Sequence, residues 1–129
     1  MGDVDRVAMD LGLTLTRMME NAGANLAWLA SEMIGGEVSG RRITVLAGPG
    51  GNGGGGLVAA RRLIGWGADV AVRLASDPAD LAPVPLEQLR LLEQMEAPIA
   101  PVAFLGLPDR PAGMTERRLR VNRRQWLAV

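Results

Sequence analysis

The sequence contains no histidine, cysteine, tyrosine or lysine, so all 14 of its basic residues are arginine. These absences exclude disulfides, thiolate chemistry and zinc sites built from histidine or cysteine. They also exclude imidazole bases, Schiff-base lysines and the lysine of a Walker-A loop. Aspartate, glutamate and ordered water remain for proton transfer, while arginine, backbone amides, helix N-termini or a bound cation remain for stabilising negative charge.

The sequence also lacks an excess of either charge and any apolar run near the roughly 18 residues of a membrane-spanning helix. Because the net charge is zero, no global field favours nucleic acid, and neither nucleic acid nor a membrane is expected as a partner. The acidic start, residues 1–5, lacks the basic and apolar regions of a signal peptide, so the cytoplasm is the expected location. A length of 129 residues with 48% apolar side chains fits one domain with one core.

Glycine, by contrast, is concentrated in one short stretch. Seven of the nine positions from Gly48 to Gly56 are glycine, and Asn52 is the only polar side chain among them. A strand, a glycine-rich turn and a helix in this order present backbone N–H groups and a helix dipole, which bind phosphate without a charged side chain. A solvated flexible linker is the alternative, but linkers rarely lie between a buried-strand pattern and an apolar helix.

The segments around this turn predict a strand, a helix and a second strand in succession. The apolar, β-branched run at 41–47 is typical of a strand buried on both faces. The pattern at 57–67 predicts a helix that Gly65 or Gly67 terminates, and 68–75 predicts the second strand. Together these elements predict a right-handed crossover unit.

Helical spacing also predicts a helix over 13–34, which Thr14 or Thr16 caps and the pair Gly35–Gly36 ends. A shorter helix is predicted at 86–95, and a third strand at 98–107. The apolar face of the long helix is expected to contain Leu15, Met18, Met19, Ala22, Leu26, Leu29, Ala30 and Met33.

A generic dinucleotide-binding fold is an alternative interpretation of the glycines alone. The spacing is not a clean GxGxxG, however, and no acidic residue ends the second predicted strand. Asp77, two residues beyond that strand, is only a weak candidate for contacting a ribose.

Two motifs make the prediction more specific. The stretches "MMENAG" at 18–23 and "VLAGPGGNGGGGLVAARRLIGWGADVAV" at 45–72 resemble the NAD(P)HX epimerase family, also called the YjeF N-terminal domain. The resemblance implies an α/β fold: a Rossmann-like three-layer sandwich with a mainly parallel sheet and an N-terminal helix before the first strand. It also implies a homodimer and a metabolite-repair reaction that interconverts the R and S epimers of hydrated NADH or NADPH.

The same resemblance implies which residues would form the site. Gly51, Asn52, Gly53, Gly54 and Gly55 would line the dinucleotide site. Asn52 would be a ligand of the family's potassium ion. Glu20 and Asn21 would be structural supports; without the resemblance, both would be interpreted as solvated helix residues.

The sequence departs from the family pattern in two respects. The loop has Gly51 for the usual asparagine and Gly55 for the usual aspartate. The family's later blocks, a DALFGTG-like turn and a DxPSG-like strand that supplies the catalytic aspartate, are not matched. Asp109 does not fit that pattern and is interpreted as a loop carboxylate beside Arg110, so no catalytic residue is assigned.

These departures predict an incomplete sheet and a partial nucleotide-binding domain at 1–108, followed by an arginine-rich, divergent tail at 109–129. The tail is open to interpretation as a frame-shifted or truncated segment, or as a phosphate-binding arm. The predicted function is that of an epimerase-family protein, inactive if the later motifs are essential. The alternatives are a non-catalytic nucleotide-binding or interaction module of the same fold, and an incomplete domain that binds nothing.

Overall fold

The computed structural model describes residues 3–102 as an α/β fold with helices packed on a small sheet. A short 3-10 helix, Pro78–Asp80, lies between the second strand and the last helix. Among the described residues, no helix combines the length and apolarity needed to span a membrane. In chain order the other elements are α1 (Asp3–Asp10), α2 (Leu15–Met33), β1 (Arg42–Ala47), α3 (Gly51–Gly65), β2 (Asp69–Leu74), α4 (Pro83–Gln94) and β3 (Ile99–Pro101).

The three strands form a parallel sheet in the order β1-β2-β3. Residues 42–47 pair with 69–74, and 72–74 pair with 99–101. Both crossovers join neighbouring parallel strands, so right-handed connections place α3 and α4 on one face of the sheet. The parallel α/β fold, the helix before the first strand and the open sheet are therefore confirmed.

Only one face of this sheet is covered within the described residues. In β1, Ile43 and Ala47 are buried whereas Arg42 and Thr44 are exposed. The expectation that β1 is buried on both faces was therefore wrong. An apolar run predicts a strand but does not show whether one face or both faces of it are buried. The outward positions of a strand with one buried face can also carry small or amphipathic side chains such as Thr44.

Helix α3 is the centre of the packing because it contacts α2, α4, β1 and β2. Its residues 53–60 are all buried, as is Leu63. Within residues 3–102 the core is an aliphatic cluster, and none of its buried members is aromatic. Its largest fully buried apolar residues are Leu57, Val58, Leu63, Val72, Leu89 and Leu92.

Helix α2 begins and ends as predicted but presents a different face to the core. The Thr14 side chain accepts a hydrogen bond from the Arg17 N–H at 3.3 Å, and Gly35 and Gly36 end the helix with φ of 98° and 86°. The buried positions are Met19, Gly23, Ala27 and Ser31. Four residues predicted to be inward are exposed instead: Ala22, Leu26, Leu29 and Met33.

The start of α3 also differs from the prediction. The helix was expected to begin near Leu57, after a glycine loop, but it begins at Gly51 and includes the whole run of glycines to Gly56. A helical glycine costs about 1 kcal/mol relative to alanine, so a run of glycines argues against a helix on local propensity alone. Tertiary packing overrides this preference.

Close packing against α2 and against the preceding loop explains the glycines. A Cβ on Gly23 of α2 would overlap the Val58 side chain and lie 2.7 Å from the Gly55 carbonyl oxygen. A Cβ on Gly53 would overlap the Gly48 carbonyl group, and one on Gly54 would lie 2.5 Å from the end of the Met19 side chain. Glycine is therefore required where these backbones approach each other.

We predict that Gly23→Ala lowers the free energy of unfolding by about 1–3 kcal/mol, because the added methyl group forces α2 away from α3. Gly65→Ala, in open space at the end of α3, is the matched control and is expected to raise stability by up to about 1 kcal/mol. Urea unfolding monitored by circular dichroism measures both. Equal effects of the two substitutions would contradict the packing argument.

Candidate functional site

The N-terminus of α3 carries backbone N–H groups that the helix itself does not use. Its first internal hydrogen bond runs from the Gly54 N–H to the Gly50 carbonyl at 3.1 Å. Among residues 3–102, the N–H groups of Gly51, Asn52 and Gly53 donate to no protein acceptor. Gly50, the N-cap residue, has no side chain to cap them. Three amides and the positive end of the helix dipole are thus free for an anion.

A cavity of about 770 Å³ opens at these amides. One wall consists of the glycine segment, Gly48 and 50–53, together with Leu46. The facing wall is apolar and comes from the first half of α2, through Leu15, Met18, Met19 and Ala22. This volume and the mixture of apolar walls with a few polar groups are typical of small-molecule sites.

The five glycine-segment residues predicted for the dinucleotide site occupy two different environments. Gly51, Asn52 and Gly53 line the cavity. Gly54 packs against Met19 and Pro85, and Gly55 faces Ala22 with a Cβ position 4.0 Å from the Ala22 Cβ. Gly54 and Gly55 therefore contribute to the packing of α3. This packing positions Gly51, Asn52 and Gly53 at the cavity.

Glu20 joins three helices beside this site. Its carboxylate accepts hydrogen bonds from Arg61 and from Arg62 (2.9 Å), both of α3. It also accepts one from the Gln88 side chain of α4 at 3.2 Å, and Gln88 in turn accepts from the Arg61 Nε at 3.4 Å. Because Glu20 follows Met19, which lines the cavity, this network fixes α2 and α3 in the positions that form the cavity wall.

The charge of Glu20 is stabilised by these partners. Burial raises the pKa of Glu20, but the hydrogen bond and charge of Arg61, followed by those of Arg62, outweigh burial and hold the pKa below its usual value of 4.5. Glu20 is therefore ionised at neutral pH. It is a structural support, as the family resemblance implied, whereas Asn21 is exposed.

The remaining candidates lie away from the cavity or outside the described residues. Asp77 caps the 3-10 helix by accepting a hydrogen bond from the Ala79 N–H at 2.8 Å, so its carboxylate is engaged locally. Asp109, Arg110 and the tail at 109–129 lie outside the described residues. Within residues 3–102, no group of three or more His, Cys, Asp or Glu side chains could hold a metal ion.

One cavity residue was not anticipated from the sequence. Asp5 belongs to α1, a helix that the sequence analysis did not predict, and it lines the cavity together with the glycine segment. The spacing of Val4, Val7, Ala8 and Leu11 is helical, and this pattern could have revealed α1. It could not have placed Asp5 next to residues some 45 positions later.

Comparison with known proteins identifies relatives for most of the described chain. Residues 15–105 match the family model described as "YjeF-related protein N-terminus". The chain is 48% identical over 94 residues to an NAD(P)H-hydrate epimerase of Dehalogenimonas lykanthroporepellens, covering 72% of this chain and 38% of that protein. It is 49% identical over 80 residues to a bifunctional NAD(P)H-hydrate repair enzyme Nnr of Thermofilum pendens, covering 61% and 15%.

A solved structure supports the same relationship. The crystal structure of yeast YNL200c superposes with a TM-score of 0.66 at 27% sequence identity, covering 77% of this chain and 43% of that one. The chain thus spans less than half the length of each of these relatives. The part matched by the family model contains the glycine segment and the cavity-lining residues given above except Asp5, because it begins after α1.

We predict that Glu20→Gln lowers the free energy of unfolding by about 1 kcal/mol at pH 7, because charge-assisted hydrogen bonds to two arginines are lost. Since folding lowers the pKa of Glu20, its stabilisation is complete above the usual value of 4.5 and disappears as pH falls through the folded pKa. The difference between wild type and variant should therefore shrink in acid. Urea unfolding from pH 7 down to pH 3 measures it.

The control is Glu32→Gln, which removes an exposed α2 carboxylate that forms no ion pair within residues 3–102. This substitution should change stability little at any pH. A Glu20→Gln deficit that persists unchanged at pH 3 would show that the loss does not come from the charge.

Proposed function

Because the chain belongs to the family of YjeF-related protein N-termini, we propose that it binds a hydrated nicotinamide dinucleotide, NAD(P)HX, and serves the interconversion of its R and S epimers. The relatives named as NAD(P)H-hydrate epimerase and as bifunctional repair enzyme support this assignment. The proposed role is metabolite repair, with the cytoplasm as the proposed location.

The observation that carries the proposal is the set of free amides at the N-terminus of α3. Three consecutive N–H groups at 51–53 and the helix dipole converge on one cavity of about 770 Å³. A diphosphate would be held by these groups without lysine, which the sequence does not contain. The apolar α2 wall would cover a ring of the same ligand.

We assign Gly51, Asn52 and Gly53 to direct contact with the dinucleotide, and Gly54 and Gly55 to the backbone that holds them. Asn52 is also proposed as one ligand of a potassium ion. Its amide oxygen is of the donor type that hard cations prefer, and it lines the cavity. Such a cation would offset part of the negative charge of the diphosphate.

A non-catalytic nucleotide-binding module of the same fold is the alternative function. It is favoured because no residue of the sequence matches the family's catalytic aspartate and no histidine is present to replace it. The partial nucleotide-binding domain is proposed to span 1–108, with 109–129 as a separate tail. A homodimer is also proposed, and the exposed Leu26, Leu29 and Met33 on α2 are consistent with it.

We predict that the protein binds NADP with measurable heat in isothermal titration calorimetry. Binding should be tighter in potassium chloride than in choline chloride at equal ionic strength, because choline cannot be coordinated by Asn52. Gly53→Ala should weaken NADP binding at least about tenfold, since the methyl group displaces the amides of the first turn of α3. Gly65→Ala, on the same helix but in open space, is the matched control and should bind as the wild type does.

Absence of any NADP binding to the folded protein would contradict the proposed nucleotide site. Binding that is indifferent to potassium would remove the cation from the proposal and leave the site intact.

We predict separately that incubation with the R epimer of hydrated NADPH produces the S epimer faster than the spontaneous reaction. Chromatographic separation of the epimers over time measures the rate. A rate equal to the background, in protein that still binds NADP, would favour the non-catalytic module.

A further inference from the structure

Helix α1 contributes the acidic residue Asp5 to the cavity lining, whereas the large apolar side chains of this segment are exposed. Val4, Val7 and Leu11 are 80%, 52% and 83% exposed, whereas Asp5 and Ala8 are half-buried. A surface helix normally packs on the rest of the protein by its apolar face, which would bury the valine and leucine side chains. Disagreement between a local pattern and the tertiary arrangement is typical of functional sites, where a residue is placed for its chemistry.

The Asp5 carboxylate has no partner inside the protein. Within residues 3–102, it forms neither an ion pair nor a side-chain hydrogen bond. The other carboxylates nearby differ from it in their surroundings. Asp3 is 91% exposed and pairs with Arg6 at 3.2 Å on the surface, and Glu20 is engaged by Arg61 and Arg62. Among the carboxylates of residues 3–102, only that of Asp5 lines the cavity, and its acceptor oxygens are unused.

The cavity therefore has two electrostatically different regions. The free amides of 51–53 attract negative charge. Asp5, the only charged side chain that residues 3–102 contribute to the lining, repels anions and accepts hydrogen bonds. A ligand that satisfies both regions carries an anionic group together with hydroxyl or amide donors at some distance from it. A nicotinamide dinucleotide has this combination in its diphosphate, its ribose hydroxyls and its carboxamide N–H groups.

We infer that Asp5 is a ligand-binding residue that accepts a hydrogen bond from a hydroxyl or amide donor of the dinucleotide. Its charge also orients the ligand by keeping the phosphates at the α3 end of the cavity. This assignment rests on the proposed function and adds to it a residue outside the glycine segment. It requires no chemical step at Asp5.

The test compares two ligands and three variants by isothermal titration calorimetry. Asp5→Ala removes both the acceptor and the charge, Asp5→Asn removes the charge while keeping an acceptor oxygen, and Asp3→Asn is the matched control on the same helix. NADP engages both regions of the cavity, whereas inorganic pyrophosphate engages only the amides. Melting temperatures measured by circular dichroism show whether each variant remains folded.

For Asp5→Ala we expect NADP binding to weaken about tenfold or more, the range for a hydrogen bond to a charged group. Asp5→Asn should lie between Asp5→Ala and wild type. Pyrophosphate binding should stay unchanged or become tighter in both variants, because a repulsive charge is removed. Asp3→Asn should match the wild type for both ligands.

Unchanged NADP affinity in folded Asp5→Ala, with pyrophosphate still bound, would overturn the role of Asp5 and leave the proposed function standing. Equal weakening of NADP and pyrophosphate would also overturn it, since the effect would then come from a disturbed amide site. If the wild-type protein binds neither ligand, the proposed function fails and the inference about Asp5 fails with it.

Discussion

The close approach of α2 to α3 is the constraint on which the rest of this structure depends. Where the two helices meet, glycines on both sides leave no room for a Cβ, and Val58 and Met19 fill the remaining space. Each helical glycine weakens α3 by about 1 kcal/mol, so the helix depends on packing rather than on its own propensity. The burial of α3 by α2, α4 and the sheet supplies that packing.

The same contact creates the candidate site. Met19 belongs both to the helix contact and to the cavity wall, and Gly53 belongs both to the loop contact and to the free amides. Glu20 then links α2 to α3 and α4 through Arg61, Arg62 and Gln88. An apolar close contact and an ionic network therefore hold one pair of helices together, and the cavity lies where these helices begin. A shift of α2 would alter the core and the site together.

The proposed recognition of negative charge relies on the main chain. The basic residues are all arginine, and Arg61 and Arg62 are engaged by Glu20 rather than directed into the cavity. In the proposed site, the amides at 51–53 would take the place of a side-chain cation, and the glycines would permit close approach of a ligand.

Much of the fold and part of the site followed from the sequence itself. Hydrophobic periodicity and capping residues predicted α2 between Thr14 and Gly35, and the strand, helix and strand order predicted the parallel crossover. The glycine segment predicted backbone N–H groups at a helix N-terminus, and Gly51, Asn52 and Gly53 line the cavity there; anion binding stays a prediction. Capping residues, hydrophobic periodicity and glycine runs act over a few neighbouring residues, so they can be recognised without knowledge of the tertiary structure.

Other features were decided only by the tertiary structure. The start of α3 at Gly51, the exposed position of Leu26 and the inward position of Asp5 all contradict what local preference favours. In each case an element distant in sequence sets the outcome. Helix α2 covers the helical glycines, and Gly23 rather than Leu26 faces α3. Helix α1 lies beside the glycine segment at the cavity. The sequence determined which elements form and where backbone must approach backbone. Only the packing of those elements determined which side of each helix meets the core and which side chains share the cavity.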